Sequence, residues 1–558
     1  TIARESDVIM PTLAGPEIGV ASTKAFTCQL AVLAALAAHL ALKKGKLSAA
    51  EIAWESLKDE REDALLRFVR GYGGQIHSLY ESEGRTTVRF PDSLGARLQI
   101  SGKGLRDLVM NFTYLFEVSE PPEMEPQLNA PERVTGGHLR PNLIAPGPTA
   151  PSVSVVDSGI QENHILISKA VRKESSCSLV PNEEQEFADY VRPGGHGTRV
   201  AGAVLFGDEI PGSEEFQLPF WIKNARVLDK NCGLPRSLYP PAYLEEIIDR
   251  HFPTRLFNHS VNASHPCRMK HMSAWATAID LQSYEKDILI IQSAGNIPQE
   301  HPGPISRGIL NHLAAGRSYP SYLTEASSRI ASPGESLQAL TVGSVAYAPE
   351  SERPLAQADQ PSCFSRSGLG IWDTIKPDVV EYGGDLCLDG SDPPRLIRHP
   401  TSCPPLVRAT LQAPGSRHDR DEVGTSFAAP KVARLAAQLQ ALLPDEPTLL
   451  FRALIAQSAR WPTWTRNRNH LTTLRQIGYG IPCSERATTN SPYRVTLITS
   501  GTSELGAGAA HVFIVPVPPE LRRPELDCQI RVDVTLSYAA RPRRTRRYLK
   551  RYLSTWLS

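Results

Sequence analysis

The feature that most constrains this chain is Val423-Gly424-Thr425-Ser426-Phe427-Ala428-Ala429-Pro430, which runs directly into the helix-patterned stretch Lys431 to Leu443. A serine hydroxyl at the very start of a helix meets free backbone N–H groups and the positive end of the helix dipole, and both stabilise a developing anion. That is a seat for a nucleophile. Serine is a weak nucleophile alone, so the seat has meaning only if other segments supply a base, a group that orients the base, and an oxyanion donor.

Three other stretches offer these groups. Gly194-Gly195-His196-Gly197-Thr198-Arg199-Val200-Ala201-Gly202 puts an imidazole at the start of a second helix, among glycines that let a substrate backbone approach. Val153-Ser154-Val155-Val156-Asp157-Ser158-Gly159 reads as a buried β-branched strand that ends in a carboxylate and a turn. Ile288-Leu289-Ile290-Ile291-Gln292-Ser293-Ala294-Gly295-Asn296 is a second such strand and delivers a side-chain amide. Singly, each has an ordinary explanation as an N-cap or a turn former. Jointly, in the order Asp, His, Asn, Ser, they resemble the subtilisin-like serine proteases, or subtilases, whose Asp…His…Ser order is distinctive, over about residues 150 to 485.

The resemblance implies an α/β fold: a subtilisin-like parallel sheet with helices on both faces. It implies that Asp157, His196 and Ser426 form the catalytic triad of a serine endopeptidase working through an acyl-enzyme, with Asn296 in the oxyanion hole. The strand Arg255 to Asn262 matches the family's substrate-binding edge, so that Ser260, Val261 and Asn262 would pair with an extended peptide. Ser293, Ala294 and Gly295 would form the opposing edge and one wall of the pocket for the residue preceding the scissile bond. Their small side chains imply an open pocket and loose specificity. Asn262 stands where the family usually has glycine, and its side chain would narrow the groove. An inactive member that only binds peptide is the alternative reading. Subtilases with a long N-terminal region and no secretion signal resemble bacterial enzymes that work beside an ATPase of the AAA class, which makes such an ATPase the implied partner.

Composition adds exclusions. A net charge of +1 supplies no global pull toward nucleic acid or membrane. The apolar run Leu30 to Leu42 is too short to span a bilayer. Nine cysteines, scattered, odd in number and without CxxC spacing, read as thiols in a reducing, cytoplasmic setting. His259, His265, Cys267 and His271 fit no zinc spacing and no oxygen-rich loop argues for calcium, so neither a metal nor another cofactor is expected.

Five segments follow. Residues 1–58 resemble a fragment of the sugar isomerase domain of glucosamine-6-phosphate synthase through Ala14 to Thr27, and the resemblance assigns sugar-phosphate contacts to Val20, Ala21 and Ser22. The opposing phosphate loop and second subdomain are missing, so a fusion or gene-boundary artefact, or an isomerase remnant, is the reading there. Residues 59–122 read as a small α/β sandwich similar to subtilase propeptide domains, with a permanent accessory domain as the equal alternative. Residues 123–151 form a Pro-rich linker. The peptidase domain spans 152–485, with Pro298 to Gly334 and Gly384 to Gly424 as insertions on its surface, the second a lid or docking surface. In 486–558, the alternation at Tyr493 to Ile498, His511 to Val515 and Cys528 to Leu536 predicts a partial β-sandwich. The basic run Arg541 to Arg547 reads as a solvated face.

Overall fold

The structure is a computed structural model that describes residues 49–79, 85–124, 141–212, 214–348, 354–409, 417–499, 501–506, 508–515, 518–519, 530–546 and 548–553. Val20, Ala21 and Ser22 lie outside the described residues. The chain divides into two units, the smaller running through Ser119 and including Arg543–Thr545, the larger comprising Glu120–Pro542 and Arg546–Ser558.

In the smaller unit, α1 (Ala49–Gly71) is followed by β1 (Gln75–Ile76), β2 (Thr87–Arg89), β3 (Leu94–Ala96), β4 (Leu98–Gln99) and α2 (Gly102–Asn111). β1 pairs with β4 and β2 with β3, both antiparallel. Ser101 caps α2 by accepting from the Gly104 amide at 3.1 Å, one of the orphan donors every helix start must satisfy. Leu65, Val69 and Leu108 form its core. The unit mixes helix and strand as the sequence suggests, and among the described residues Tyr114 to Val118 forms no strand. Arg544 also departs from expectation. It is buried, ion-paired with Glu117 and stacked 5.4 Å from the Phe116 ring, so this member of the basic run is not on a solvated face.

The larger unit carries, in chain order, β5 (Asn142–Ile144), β6 (Ser152–Asp157), β7 (Cys177–Ser178), α3 (Gly197–Phe206), β8 (Glu215–Gln217), β9 (Trp221–Arg226), α4 (Pro240–Arg250), β10 (Leu256–His259), α5 (Ala274–Lys286), β11 (Leu289–Ser293), α6 (Ile309–Ala314), β12 (Leu340–Val345), β13 (Val379–Tyr382), β14 (Leu386–Leu388), β15 (Leu396–Arg398), β16 (Leu406–Val407), β17 (His418–Asp419) and α7 (Thr425–Leu442). Seven strands make one parallel sheet in the order β13-β12-β11-β10-β6-β9-β7. A parallel sheet is covered on both faces, so its strands read as nearly unbroken apolar runs. β11 and β12 are accordingly buried at every residue. Val200 and Val204 of α3, Phe427 and Val432 of α7, and Val153, Val155 and Ile291 of the sheet share one core.

This topology decides where chemistry can occur. In a doubly wound sheet the loops at the carboxyl ends of the strands meet the amino ends of helices, and the crevice there takes ligands. β6 ends on Asp157, β11 ends three residues before Asn296, and α3 and α7 begin just after His196 and just before Ser426.

Both insertions are more deeply packed than surface decoration. Ile309 of α6, Tyr322 and Leu323 from the first share a buried cluster with Leu386, Leu396 and Cys403 from the second, while Leu406 and Val407 of β16 join the main core. Among the described residues, no strand is found at 493–498, 511–515 or 530–536, and Tyr493, Val512, Ile514 and Val534 are exposed. Alternation marks a capacity to pair, but a strand needs a neighbour to pair with.

Gly202 shows how closely α3 meets the second insertion: a Cβ there would stand 2.6 Å from Cγ2 of Val407. Gly202→Ala is expected to lower stability by about 1 to 3 kcal/mol through overpacking, measured as a reduced denaturant midpoint.

Candidate active site

Asp157 closes β6 with its carboxylate buried. A carboxylate out of water must be bonded or neutralised. Its Oδ1 accepts the Ser158 amide at 2.7 Å and Nδ1 of His196 at 2.6 Å. Donation from Nδ1 fixes the imidazole tautomer and leaves Nε2 as the ring's acceptor. Burial alone would lower the His196 pKa, but the Asp157 charge and hydrogen bond, followed by the charges of Asp189 and Glu422, outweigh it and raise the pKa above its ordinary 6.5.

The backbone at His196 is held by a carboxylate that motif reading does not single out. Asp189 is buried and accepts the Thr198 amide at 2.8 Å, the Ser158 hydroxyl at 2.9 Å and the Val191 amide at 3.2 Å. Ser158 Oγ in turn accepts the Gly197 amide at 2.9 Å. The first N–H groups of α3 are thus satisfied by Asp189 directly and through Ser158. Gly195, at φ +79°, permits this: a Cβ there would sit 2.4 Å from Asp189 Oδ2. Its only sequence signal is an Asp seven residues before His196, in a loop with no periodicity.

Ser426 lies in the first turn of α7, and Pro430 follows four residues later inside the same helix. Proline has no N–H to give to the carbonyl four residues back. The Ser260 hydroxyl serves that carbonyl, donating to Ser426 O at 3.3 Å. Asn296 accepts the Thr425 amide at 3.0 Å and the Thr425 hydroxyl at 3.1 Å through Oδ1, and its Nδ2 lies 3.7 Å from where a Cβ on Gly424, the residue before α7, would stand. His196, Ser426, Asn296, Ser260, Val261 and Asn262 line one cavity, together with Glu422 and Met124. Phe427 packs on the imidazole with ring centroids 5.4 Å apart. Among the described residues, no hydrogen bond joins the Ser426 hydroxyl to the ring, whose side-chain bond is the one to Asp157. Catalytic contacts of this kind commonly tighten only in the substrate complex.

Ser293, Ala294 and Gly295 are buried and are not among the residues that line the cavity. Asn262, which does line it, is bonded to the first of them: its Nδ2 donates to Ser293 O at 2.9 Å and its Oδ1 accepts the Ser293 hydroxyl. His259, one of the four residues weighed as a metal cluster, is bonded to Gln292 at 2.6 Å and Tyr243 at 2.9 Å.

A ring of buried charge ties the two helix starts together. Arg199 donates to the Pro193 and Gly195 carbonyls, both at 2.9 Å, and to Asp421 at 2.6 Å. Arg408 meets Asp421 at 2.9 Å and Arg398 meets Glu422 at 2.8 Å. The loop before His196 is thus fastened to the loop before Ser426.

A parallel α/β sheet with a serine, a histidine, a carboxylate and an amide gathered at its strand ends has the layout of a serine peptidase domain. The subtilase family model matches residues 149–480, more than half of the chain, and the chain belongs to that family. It is 31% identical over 296 residues to the uncharacterized protein y4bN of Sinorhizobium fredii, covering 49% of this chain and 64% of that protein. A 51-residue stretch is 71% identical to the glutamine–fructose-6-phosphate aminotransferase (isomerizing) of Zymomonas mobilis, covering 9% of this chain and 8% of the enzyme, in keeping with the resemblance of residues 1–58. The chain thus spans less than two thirds of each of these relatives. Among solved structures, a protease from Pseudoalteromonas arctica PAMC 21717 aligns over 61% of this chain and 89% of its own, at 16% identity and a TM-score of 0.41.

Asp157→Asn removes the charge that does most to raise the His196 pKa, so the titration midpoint of the ring should fall relative to the unsubstituted protein. A histidine-resolved NMR titration checks this, and an unchanged midpoint would detach the ring from Asp157.

Proposed function

We propose that this subtilase is an active serine endopeptidase. The observation that carries the reading is the 2.6 Å bond from His196 to the buried Asp157, opening onto a cavity shared with Ser426 and Asn296. His196 Nε2 takes the Ser426 proton as the hydroxyl oxygen attacks a peptide carbonyl, and gives it to the leaving amine. Asp157 holds the tautomer and stabilises the imidazolium. The Ser426 amide at the start of α7 and Asn296 Nδ2 receive the charge that develops on the carbonyl oxygen. Collapse to the acyl-enzyme and attack by water complete hydrolysis. The substrate is polypeptide, and among the described residues no helix is long and apolar enough to cross a membrane.

Asn296→Ala should lower kcat by about 10² to 10³, the magnitude known for the side-chain oxyanion donor of subtilisin, with KM nearly unchanged. Ser426→Ala should abolish turnover. Peptide hydrolysis kinetics check both, and a loss in KM alone for Asn296→Ala would contradict the assignment.

The cleft also meets its own chain. Ser264 donates its amide to Glu123 O at 2.7 Å, Met124 bridges antiparallel to Ala263, and Met124 lines the cavity beside the serine. This supports a role for the segment at Glu123 and Met124 in which the same chain competes with substrate at the groove. Met124→Asp should loosen that contact and raise turnover of a short peptide at low substrate concentration. Equal rates in both proteins would favour a permanent accessory role.

A further inference from the structure

We propose that Asn262 closes the acyl-side pocket, so that this enzyme cleaves after glycine, alanine or serine and discriminates against large residues. The proposal rests on the reading of Ser426 as nucleophile and Asn296 as oxyanion donor.

The geometry follows from the sheet. β10 and β11 are neighbouring parallel strands, with His259 in register with Gln292. Beyond that register the two chains continue as Ser260–Asn262, which line the cavity, and Ser293–Gly295, which do not, and the space between them is the proposed slot for the acyl side chain. A carbonyl carbon within reach of Ser426 Oγ, with its oxygen toward Asn296, stands at the mouth of this slot. The side chain of the acyl residue must either enter the slot or turn to solvent.

Asn262 spans the slot. Its Nδ2 donates to Ser293 O at 2.9 Å and its Oδ1 accepts the Ser293 hydroxyl, so both polar ends of the amide are bonded to the opposite side. A second rung lies beneath it: Gln292 Nε2 donates to Val261 O at 3.2 Å and to Ser293 O at 3.0 Å. Asn262 is 6% exposed and Ser293 fully buried. A large side chain could enter only by displacing an amide bonded at both ends, leaving the Ser293 hydroxyl and carbonyl without these partners in a dry site. Unmade hydrogen bonds in such a site are costly, whereas a hydrogen or a methyl group needs no displacement.

The test uses the full chain and a peptide series differing only in the residue before the scissile bond: Gly, Ala, Ser, Leu and Phe. For the unsubstituted protein, kcat/KM for the small residues should exceed that for Leu and Phe by roughly 10- to 100-fold, the range that differential pocket contacts support. Asn262→Gly should remove the preference by raising the Leu and Phe values. If the unsubstituted protein cleaves after Phe as fast as after Ala, with turnover dependent on Ser426, the pocket proposal is wrong while the peptidase reading stands. If no peptide in the series is cleaved in a Ser426-dependent way, the peptidase reading and this proposal fall together. The comparison of Ala and Phe in the unsubstituted protein decides the matter even if Asn262→Gly does not fold.

Discussion

A carboxylate at the end of a buried strand cannot stand alone, and the rest of the site is arranged around satisfying the one on Asp157. Water is excluded from it, so its charge is stable only through the Ser158 amide and the His196 ring. The same bond that makes Asp157 tolerable sets the tautomer of the ring, and the same burial that would drive the imidazole neutral is outweighed by the carboxylate beside it. Stability and chemistry are here two consequences of one interaction, because removing either partner leaves the other unsatisfied in a low-dielectric site.

Holding that pair in register with Ser426 is a separate problem, since the three residues come from remote segments. Part of the solution is local: Asp189 and Ser158 cap α3 so that His196 enters the cleft at a fixed angle. Part is long-range. Arg199, Arg398 and Arg408 against Asp421 and Glu422 join the glycine loop to the segment before the serine. Buried ion pairs of this kind are poor evidence for net stability, but removing one partner is strongly destabilising. The segment from Gly384 to Gly424, which composition leaves open as a lid or a docking surface, supplies Arg398, Arg408 and both acids to this ring. That role makes it part of the frame that positions the chemistry.

The four motifs were readable because each puts a chemically distinctive residue where a strand or helix ends, and ends are marked by glycine, by β-branched runs and by caps. The parallel sheet follows from the same runs. What could not be read were distances across the fold. Asn262 is visible in the sequence as a departure from glycine, but the bridge from its amide to Ser293 is not. Asp189 carried no pattern at all, since a loop carboxylate reveals its purpose only when the amides it accepts are in place. The alternating segments after residue 486 carry a strand-like pattern, but pairing is a property of two segments together and cannot be read from either alone.

The central claim is that Ser426 is a nucleophile activated by His196. The most direct measurement is reaction of the intact protein with a fluorophosphonate, followed by peptide mapping and by the labelling rate of His196→Ala. The account predicts a single phosphonyl adduct on the peptide containing Ser426, forming far more slowly once the imidazole is removed. An unlabelled Ser426 in the unsubstituted protein, or labelling at the same rate without His196, would contradict it.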